Sequence, residues 1–316
     1  MTGVPKWLRA VVGVGAIALL LVVVDVRSVA AALADIRLID IVYLLLISVV
    51  LVLVSVVKWR LFLQHLGMSA SIAHLFRLYL VGYFVNLLMP SSLGGDVVRS
   101  LYVGKGIDKI KAVSATLLER YTGFIAMVVM SLIAVSWAPQ VTPQIRLLTL
   151  FVGAVAVALT VAMVTGRFTR LSEIVRLPPS IHAKIVRLQD GVQWGLSDKG
   201  LLVRAGALSV TFHLLTIVNT AVVGYAVGWH DVPWSDLLVV VPLILLLGAV
   251  PISPQGLGIQ EGAFVFFLSS VGATSGQAMA IALVLRAKSY ILAALGGALW
   301  IGLRRPAAGQ IVDGPH

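Results

Sequence analysis

Six separate runs of this sequence, residues 8–24, 39–57, 112–137, 145–165, 201–227 and 278–303, are almost wholly apolar. Each reaches or approaches the roughly 20 residues that cross a hydrocarbon core about 30 Å thick, so the solvent for most of the chain is lipid. Composition agrees. Of 316 residues, 59% are hydrophobic and 12% charged, whereas soluble domains run at roughly 45–50% apolar and about a quarter charged. The expected fold is all-α, a polytopic membrane helix bundle.

The chain has no cysteine, which excludes disulfides, thiol catalysis and zinc-thiolate sites. Its net charge of +11 is spread over short loops, as expected of residues that set topology at an anionic cytoplasmic leaflet rather than bind nucleic acid. Lys6 precedes the first run and Arg9 stands at its start. That run is longer than the ~7–15 residues of a signal-peptide core, and Asp25-Val-Arg-Ser is not an Ala-x-Ala-like cleavage site. Residues 1–38 therefore read as an N-terminal anchor span.

Lys and Arg mark cytoplasmic loops. Lys6 and Arg9 place the N-terminus inside, and the acidic loop from Asp25 to Asp40 falls outside. Lys58, Arg60 and Arg77 mark the next loop as inside, and Arg99, Lys105, Lys109 and Lys111 mark the same side again. Residues 72–103 between them read as a helical hairpin that enters the bilayer and returns. Two spans then close a first membrane unit at 39–165. Residues 166–200 carry six Lys/Arg and Pro178-Pro179, a cytoplasmic segment in which 181–196 has the periodicity of an interfacial helix. A second unit at 201–303 holds a cation-free stretch, 237–272, broken at Pro251, Pro254, Gly256 and Gly258. It reads as a second hairpin, entered from outside. Residues 304–316, with Arg304 and Arg305, form a cytoplasmic tail.

A shift of 164 residues lays Pro90-Ser-Ser-Leu-Gly94 on Pro254-Gln-Gly-Leu-Gly258, brings Asp96 beside Gln260 and Glu261, and after a two-residue gap brings Glu119-Arg120 near Arg286 and Lys288. One copy would begin outside and the other inside, an inverted repeat of the kind secondary transporters build around broken helices. The identities are few, and a chance match is the alternative.

The first break runs from Asn86 through Pro90, Ser91, Ser92, Gly94, Gly95 and Asp96 to Arg99. Proline and paired glycines open the helix, and freed backbone groups must be buried in protein or line a wet cavity. A helix starting after Gly95 could hold a phosphate on its amides, with Ser91 and Ser92 adding hydroxyls. Asp96 is either a helix cap or a gating group. Arg99 is either a headgroup ligand, through paired guanidinium donors, or an interfacial anchor. Glu119 and Arg120 sit within a span, where an unpaired charge costs at least about 2.5 kcal/mol. Glu119 could pair with Arg286 or Lys288, or carry a proton. The second break, with Gln255, Gly256, Gly258, Gln260 and Glu261, offers amides and a carboxylate toward an anionic headgroup. No Walker-type phosphate loop and no Asp-x-Asp pair occurs, and no cofactor is expected.

At Asn86, Pro90, Gly94-Gly95-Asp96, Arg99, Glu119-Arg120, Pro254, Gly256, Gly258 and Glu261, the sequence resembles the flippase-like family built around the transmembrane domain of lysylphosphatidylglycerol synthase. Full-length synthases of that family carry a soluble aminoacyl-transferase domain after the membrane part. This chain ends about a dozen residues after its last span, so the resemblance implies the lipid-translocating part without that enzyme. The expected activity is translocation of an anionic or phosphate-bearing lipid across the plasma membrane. Arg99, Arg120, Arg286 and Lys288 would meet the headgroup, and Asp96, Glu119 and Glu261 would gate, pair or couple protons. The expected partners are membrane lipids, with lipid-synthesis enzymes as further candidates. The competing readings are a lipid-modifying enzyme acting on polyprenyl phosphate and a non-catalytic scaffold of a lipid-synthesis complex.

Overall fold

A computed structural model describes residues 24–89, 94–104, 108–165, 197–250 and 253–304, with isolated positions at 15, 167, 186, 190 and 193. Apart from Val24 and those isolated positions, the expected first span (8–24), the interfacial helix (181–196), Pro90, Ser91, Ser92, Pro251 and the tail from Arg305 lie outside the described residues.

The described residues form ten α-helices and no strand. In order they are α1 (Val26–Ala34), α2 (Leu38–His65), α3 (Ile72–Leu88), α4 (Gly94–Val103), α5 (Asp108–Ala134), α6 (Pro143–Val164), α7 (Lys199–Ala226), α8 (Trp234–Ala249), α9 (Ile259–Ser269) and α10 (Ser275–Arg304), with a 3₁₀ turn at Pro254–Gly256 between α8 and α9. Five of them, α2, α5, α6, α7 and α10, are long and apolar enough to span a membrane. At 1.5 Å per residue α2 and α7, each 28 residues, extend about 42 Å. By contrast α3 and α8, with 17 and 16 residues, extend only about 25 Å, less than the ~30 Å hydrocarbon core.

The solvent is legible in the surface. Leu147, Phe151, Val203 and Ile301 are each 60–72% exposed, while Arg99, Glu119, Glu261, Asp236 and Lys58 are buried. That inverts the soluble pattern, in which charged groups face out. With lipid outside, apolar burial alone gives helices little reason to associate, and close packing and polar contacts take its place. At Gly95 an added Cβ would fall 2.0 Å from the Gly82 carbonyl oxygen, and at Gly296 it would fall 1.9 Å from the Leu80 carbonyl oxygen. Glycine at these positions lets α4 lie on α3 and α10 lie on α3. Likewise α2 runs along α7, and α5 touches α2, α4, α7 and α8. One apolar cluster joins Trp59, Leu63, Leu75, Leu78 and Leu118. The other joins Leu237, Ile244, Phe267, Leu268 and Ile281.

Two expectations are corrected here. The stretch after Asp25 is a helix, α1, whose N-cap carboxylate accepts from the Arg27 N–H at 3.0 Å; reading it for its charges hid the apolar Val-x-x-Val-Ala-Ala-Ala-Leu run. Lys58 and Arg60 are not in a loop, because α2 continues to His65. Lys58 is 6% exposed and donates to Ser209 Oγ on α7 at 3.1 Å.

Asp236 is in the first turn of α8 and fully buried. Its Oδ1 accepts the backbone N–H groups of Gln140 (2.8 Å) and Val141 (2.9 Å), fixing the α5–α6 connection to α8. Asp236→Ala strands two donors. The expected loss is about 1–3 kcal/mol, read as a lowered unfolding midpoint in detergent micelles.

Candidate functional site

Two charged clusters form where the short helices begin. In the first, α3 ends at Leu88 and α4 starts at Gly94. The Asn86 side-chain oxygen accepts the Gly95 N–H at 2.7 Å, which ties the new helix to the end of the old one. Asp96 is the third residue of α4, and its carboxylate is gripped from two directions. Arg120 of α5 donates Nε to Oδ2 (2.8 Å) and Nη2 to Oδ1 (3.0 Å), and Arg99 donates Nε to Oδ1 (3.1 Å). Arg99 Nη2 also donates to Glu119 Oε2 at 2.7 Å, and the Tyr79 hydroxyl donates to Glu119 Oε1 at 2.9 Å. The Arg99 guanidinium lies 4.1 Å from the Tyr79 ring centre and 4.5 Å from that of Trp59, a cation–π arrangement in a dry setting.

Arg99 is therefore an interior cation, 1% exposed, rather than an interfacial anchor. Glu119 pairs with Arg99, not with Arg286 or Lys288, because α4 packs against α5. No backbone N–H donates to Asp96 among the described residues, so its carboxylate holds guanidinium groups instead of capping the helix. Arg120 is the member of this cluster that reaches outward, with 53% of its side chain exposed.

The second cluster opens with backbone conformations in the left-handed region. Gln255, Gly256 and Gly258 have φ of 50°, 66° and 79°. Glycine makes two of these cheap; at Gln255 the strain accompanies a side chain that donates to the Asn86 carbonyl oxygen at 2.8 Å. That bond joins the two breaks directly. Glu261 is the third residue of α9, as Asp96 is of α4, and its Oε2 accepts the Gly258 N–H at 2.7 Å. Its other oxygen accepts from Arg286 Nε of α10. Arg286 also reaches Gln260 Oε1 at 3.4 Å.

Beside this pair is a polar cavity of about 200 Å³ between α7, α8, α9 and α10. Glu261, Arg286, Lys288, Gln255, Gln260 and Asn219 are among its lining residues. Glu261 and Arg286 balance one another. Lys288 has no hydrogen-bond or ion-pair partner among the described residues and leaves the cavity positive. Asn219 was not singled out from the sequence, although Thr216, Asn219 and Thr220 form a polar stripe at i, i+3 and i+4 on an otherwise apolar helix. No cluster of His, Cys, Asp or Glu suited to a metal ion occurs among the described residues.

Known proteins share this sequence pattern. A UPF0104 membrane protein of Methanothermobacter thermautotrophicus is 26% identical over 318 residues, covering 90% of this chain and 92% of that protein. A second UPF0104 membrane protein of the same archaeon is 22% identical over 282 residues, 79% of each chain. One from Methanocaldococcus jannaschii is 36% identical over 84 residues, a quarter of each. No solved structure matches. Residues 7–297 match the family described as the lysylphosphatidylglycerol synthase TM region, a stretch that takes in both breaks and both charged clusters, and the chain belongs to that family.

Proposed function

We propose that the protein translocates an anionic or phosphate-bearing lipid between the leaflets of a plasma membrane, as a transporter rather than an enzyme. The observation that carries this reading is the polar cavity lined by Lys288, which has no partner among the described residues, within a bundle whose outer surface is apolar. An unpaired intramembrane cation is expensive to keep, and an anionic headgroup is the natural counter-ion in such a setting. Arg120, half exposed at the first cluster, is a second cation within reach of a passing phosphate. Arg286 holds Glu261 and borders the same cavity.

Alternating access supplies the mechanism. In both halves a carboxylate at the third position of a short helix binds an arginine of the following long helix. Asp96 and Glu261 are 165 residues apart, and Arg120 and Arg286 are 166 apart. Gly82 and Gly248, also 166 apart, each lie against the start of the short helix that follows. These correspondences support a repeat, which with the distribution of Lys and Arg in the sequence we read as inverted, built on two re-entrant hairpins and with both termini cytoplasmic. The Gln255–Asn86 bond is where the two hairpins would part. Asn86, Gly94, Gly95, Gly256 and Gly258 shape that junction, Arg99 holds its first half together, and Asp96, Glu119 and Glu261 gate it or couple it to protons. No nucleotide motif is present in the sequence, so a gradient of ions or of the lipid drives the cycle.

The test is movement of fluorescent phosphatidylglycerol and phosphatidylcholine across proteoliposomes. The wild type should move the anionic lipid faster than protein-free vesicles do. Lys288→Gln should slow it about tenfold, the loss of one charge-assisted hydrogen bond. Equal rates with and without wild-type protein, across anionic phospholipids and polyprenyl phosphates, would remove the proposal.

A further inference from the structure

Lys58 is a buried charge that neither cluster uses. It lies two turns before the end of α2. Long basic side chains near a helix end usually turn outward to reach water, but this one turns inward. Its Nζ donates to Ser209 Oγ at 3.1 Å, about 15 Å along α7 from its start. It also lies 3.1 Å from where a Cβ on Gly123 of α5 would sit, so the missing side chain makes room for it. The Gly123 carbonyl oxygen accepts from His213 Nε2 at 3.0 Å, and His213 is one turn beyond Ser209 on the same face of α7. Two bases, one from α2 and one from α7, thus meet at a single glycine of α5.

The hydrogen bonds there suit an amine as well as an ammonium. An ammonium has three donors, and among the described residues Lys58 has one acceptor, Ser209, and no carboxylate within ion-pair distance. The Ser209 hydroxyl donates to the Ala205 carbonyl oxygen and is free to turn to an amine lone pair instead. The charged groups that act on Lys58 are Glu119, Arg120 and Arg99, together with His213 when it is protonated. The other helices against α2 add nothing charged: α3 places Tyr79 on Trp59, and His74 and Arg77 of α3, Lys109 and Lys111 of α5 and Arg204 of α7 are exposed. With Lys58 protonated, three cations face the two carboxylates Asp96 and Glu119. With Lys58 neutral, Arg99 and Arg120 match them one for one. Arginine keeps its proton in such a place, whereas a buried lysine gives it up readily. Glu119 and Gly123 are four residues apart on one face of α5, so a proton arriving on Lys58 pulls on the carboxylate that holds Arg99, and through Arg99 on α4.

We infer that Lys58, with Ser209 and His213 around Gly123, is a proton-binding site, and that its proton, by competing with Arg99 for Glu119, is the coupling ion of transport. The coupling role rests on the translocation reading; proton binding does not.

Proton binding is read by NMR of the full chain in micelles with lysine labelled at the ε-carbon. The Lys58 signal is the one missing from Lys58→Met and, should that variant not fold, the one displaced by Gly123→Ala. It should move between the ammonium and amine positions over roughly pH 6–9, a range in which an exposed lysine such as Lys109 stays charged. A Lys58 signal that keeps one position throughout that range overturns the site, whether or not the protein moves lipid. Coupling is read in proteoliposomes under an imposed gradient of one pH unit. Lipid movement by the wild type should quicken by up to about tenfold, the worth of one proton falling through one unit, and the ratio of rates with and without the gradient should be about one in Lys58→Met. A wild type that moves lipid at the same rate with and without the gradient, or a response that persists in Lys58→Met, overturns the coupling role and leaves translocation standing. Absence of any lipid movement removes translocation and the coupling role together, and the NMR titration still decides the site.

Discussion

Arg99→Ala is expected to destabilise the protein by about 3–5 kcal/mol, the usual cost of removing one partner from a buried ion pair. The guanidinium is the bridge between two carboxylates that α4 and α5 bring together, Asp96 and Glu119. Asp96 would keep Arg120, but the carboxylate of Glu119, 3% exposed, would retain only the Tyr79 hydroxyl among the described residues. The two aromatic rings that flank the guanidinium would also lose their cation. The double variant Arg99→Met with Glu119→Gln removes both charges of the pair and should recover more than half of the loss, because neighbouring residues in one network are not additive. Urea or SDS unfolding in micelles reads both numbers. If Arg99→Ala stays within about 1 kcal/mol of the wild type, the cluster is solvated and the description of it as a dry ion pair fails.

Gly296→Val should be comparably damaging, at about 3 kcal/mol, the upper end of what overpacking a core costs. The obstacle is a backbone atom, the Leu80 carbonyl oxygen 1.9 Å from where the new Cβ would sit, and a carbonyl within a helix cannot rotate away. Helices α3 and α10 would have to separate along their length, and in lipid no gain from apolar burial drives them together again. Gly206→Ala on α7 is the matched control. Nothing lies within 4 Å of the added Cβ there, and helix propensity favours alanine by up to about 1 kcal/mol. A thermal melt should show Gly296→Val well below the wild type and Gly206→Ala at or above it.

These two predictions also mark what sequence reasoning reaches. Apolar runs and Pro/Gly interruptions located α2, α5, α6, α7, α10 and both breaks, because length, hydropathy and backbone constraint are local properties. The charges at Asp96, Arg99, Glu119, Arg120, Glu261 and Arg286 stood out for the same reason, since each sits in an apolar context. Their pairing was not legible. Glu119 was open to Arg286, to Lys288 or to a proton, whereas the fold brings Arg99 to Glu119 within the same half and gives Arg286 to Glu261. Lys58 was taken for a loop marker because a positive charge usually is one; its burial depends on Ser209 of α7, 151 residues away. Nothing local to Asp236 in the sequence signals that two amides of the α5–α6 connection need its carboxylate. Asn219 gave a readable signal in its polar stripe with Thr216 and Thr220, but only the cavity beside it turns that stripe into a site.

The claim at the centre of this account is that the polar cavity opens to both sides of the membrane in turn. The chain contains no cysteine, so Ser289→Cys, which places a thiol at the cavity wall beside Lys288, can be the sole target of a membrane-impermeant maleimide. Oriented vesicles treated from one face or the other should show labelling from both, slowed at each face by added phosphatidylglycerol. Labelling confined to a single face, in vesicles whose protein moves lipid, would contradict passage of the headgroup through this cavity.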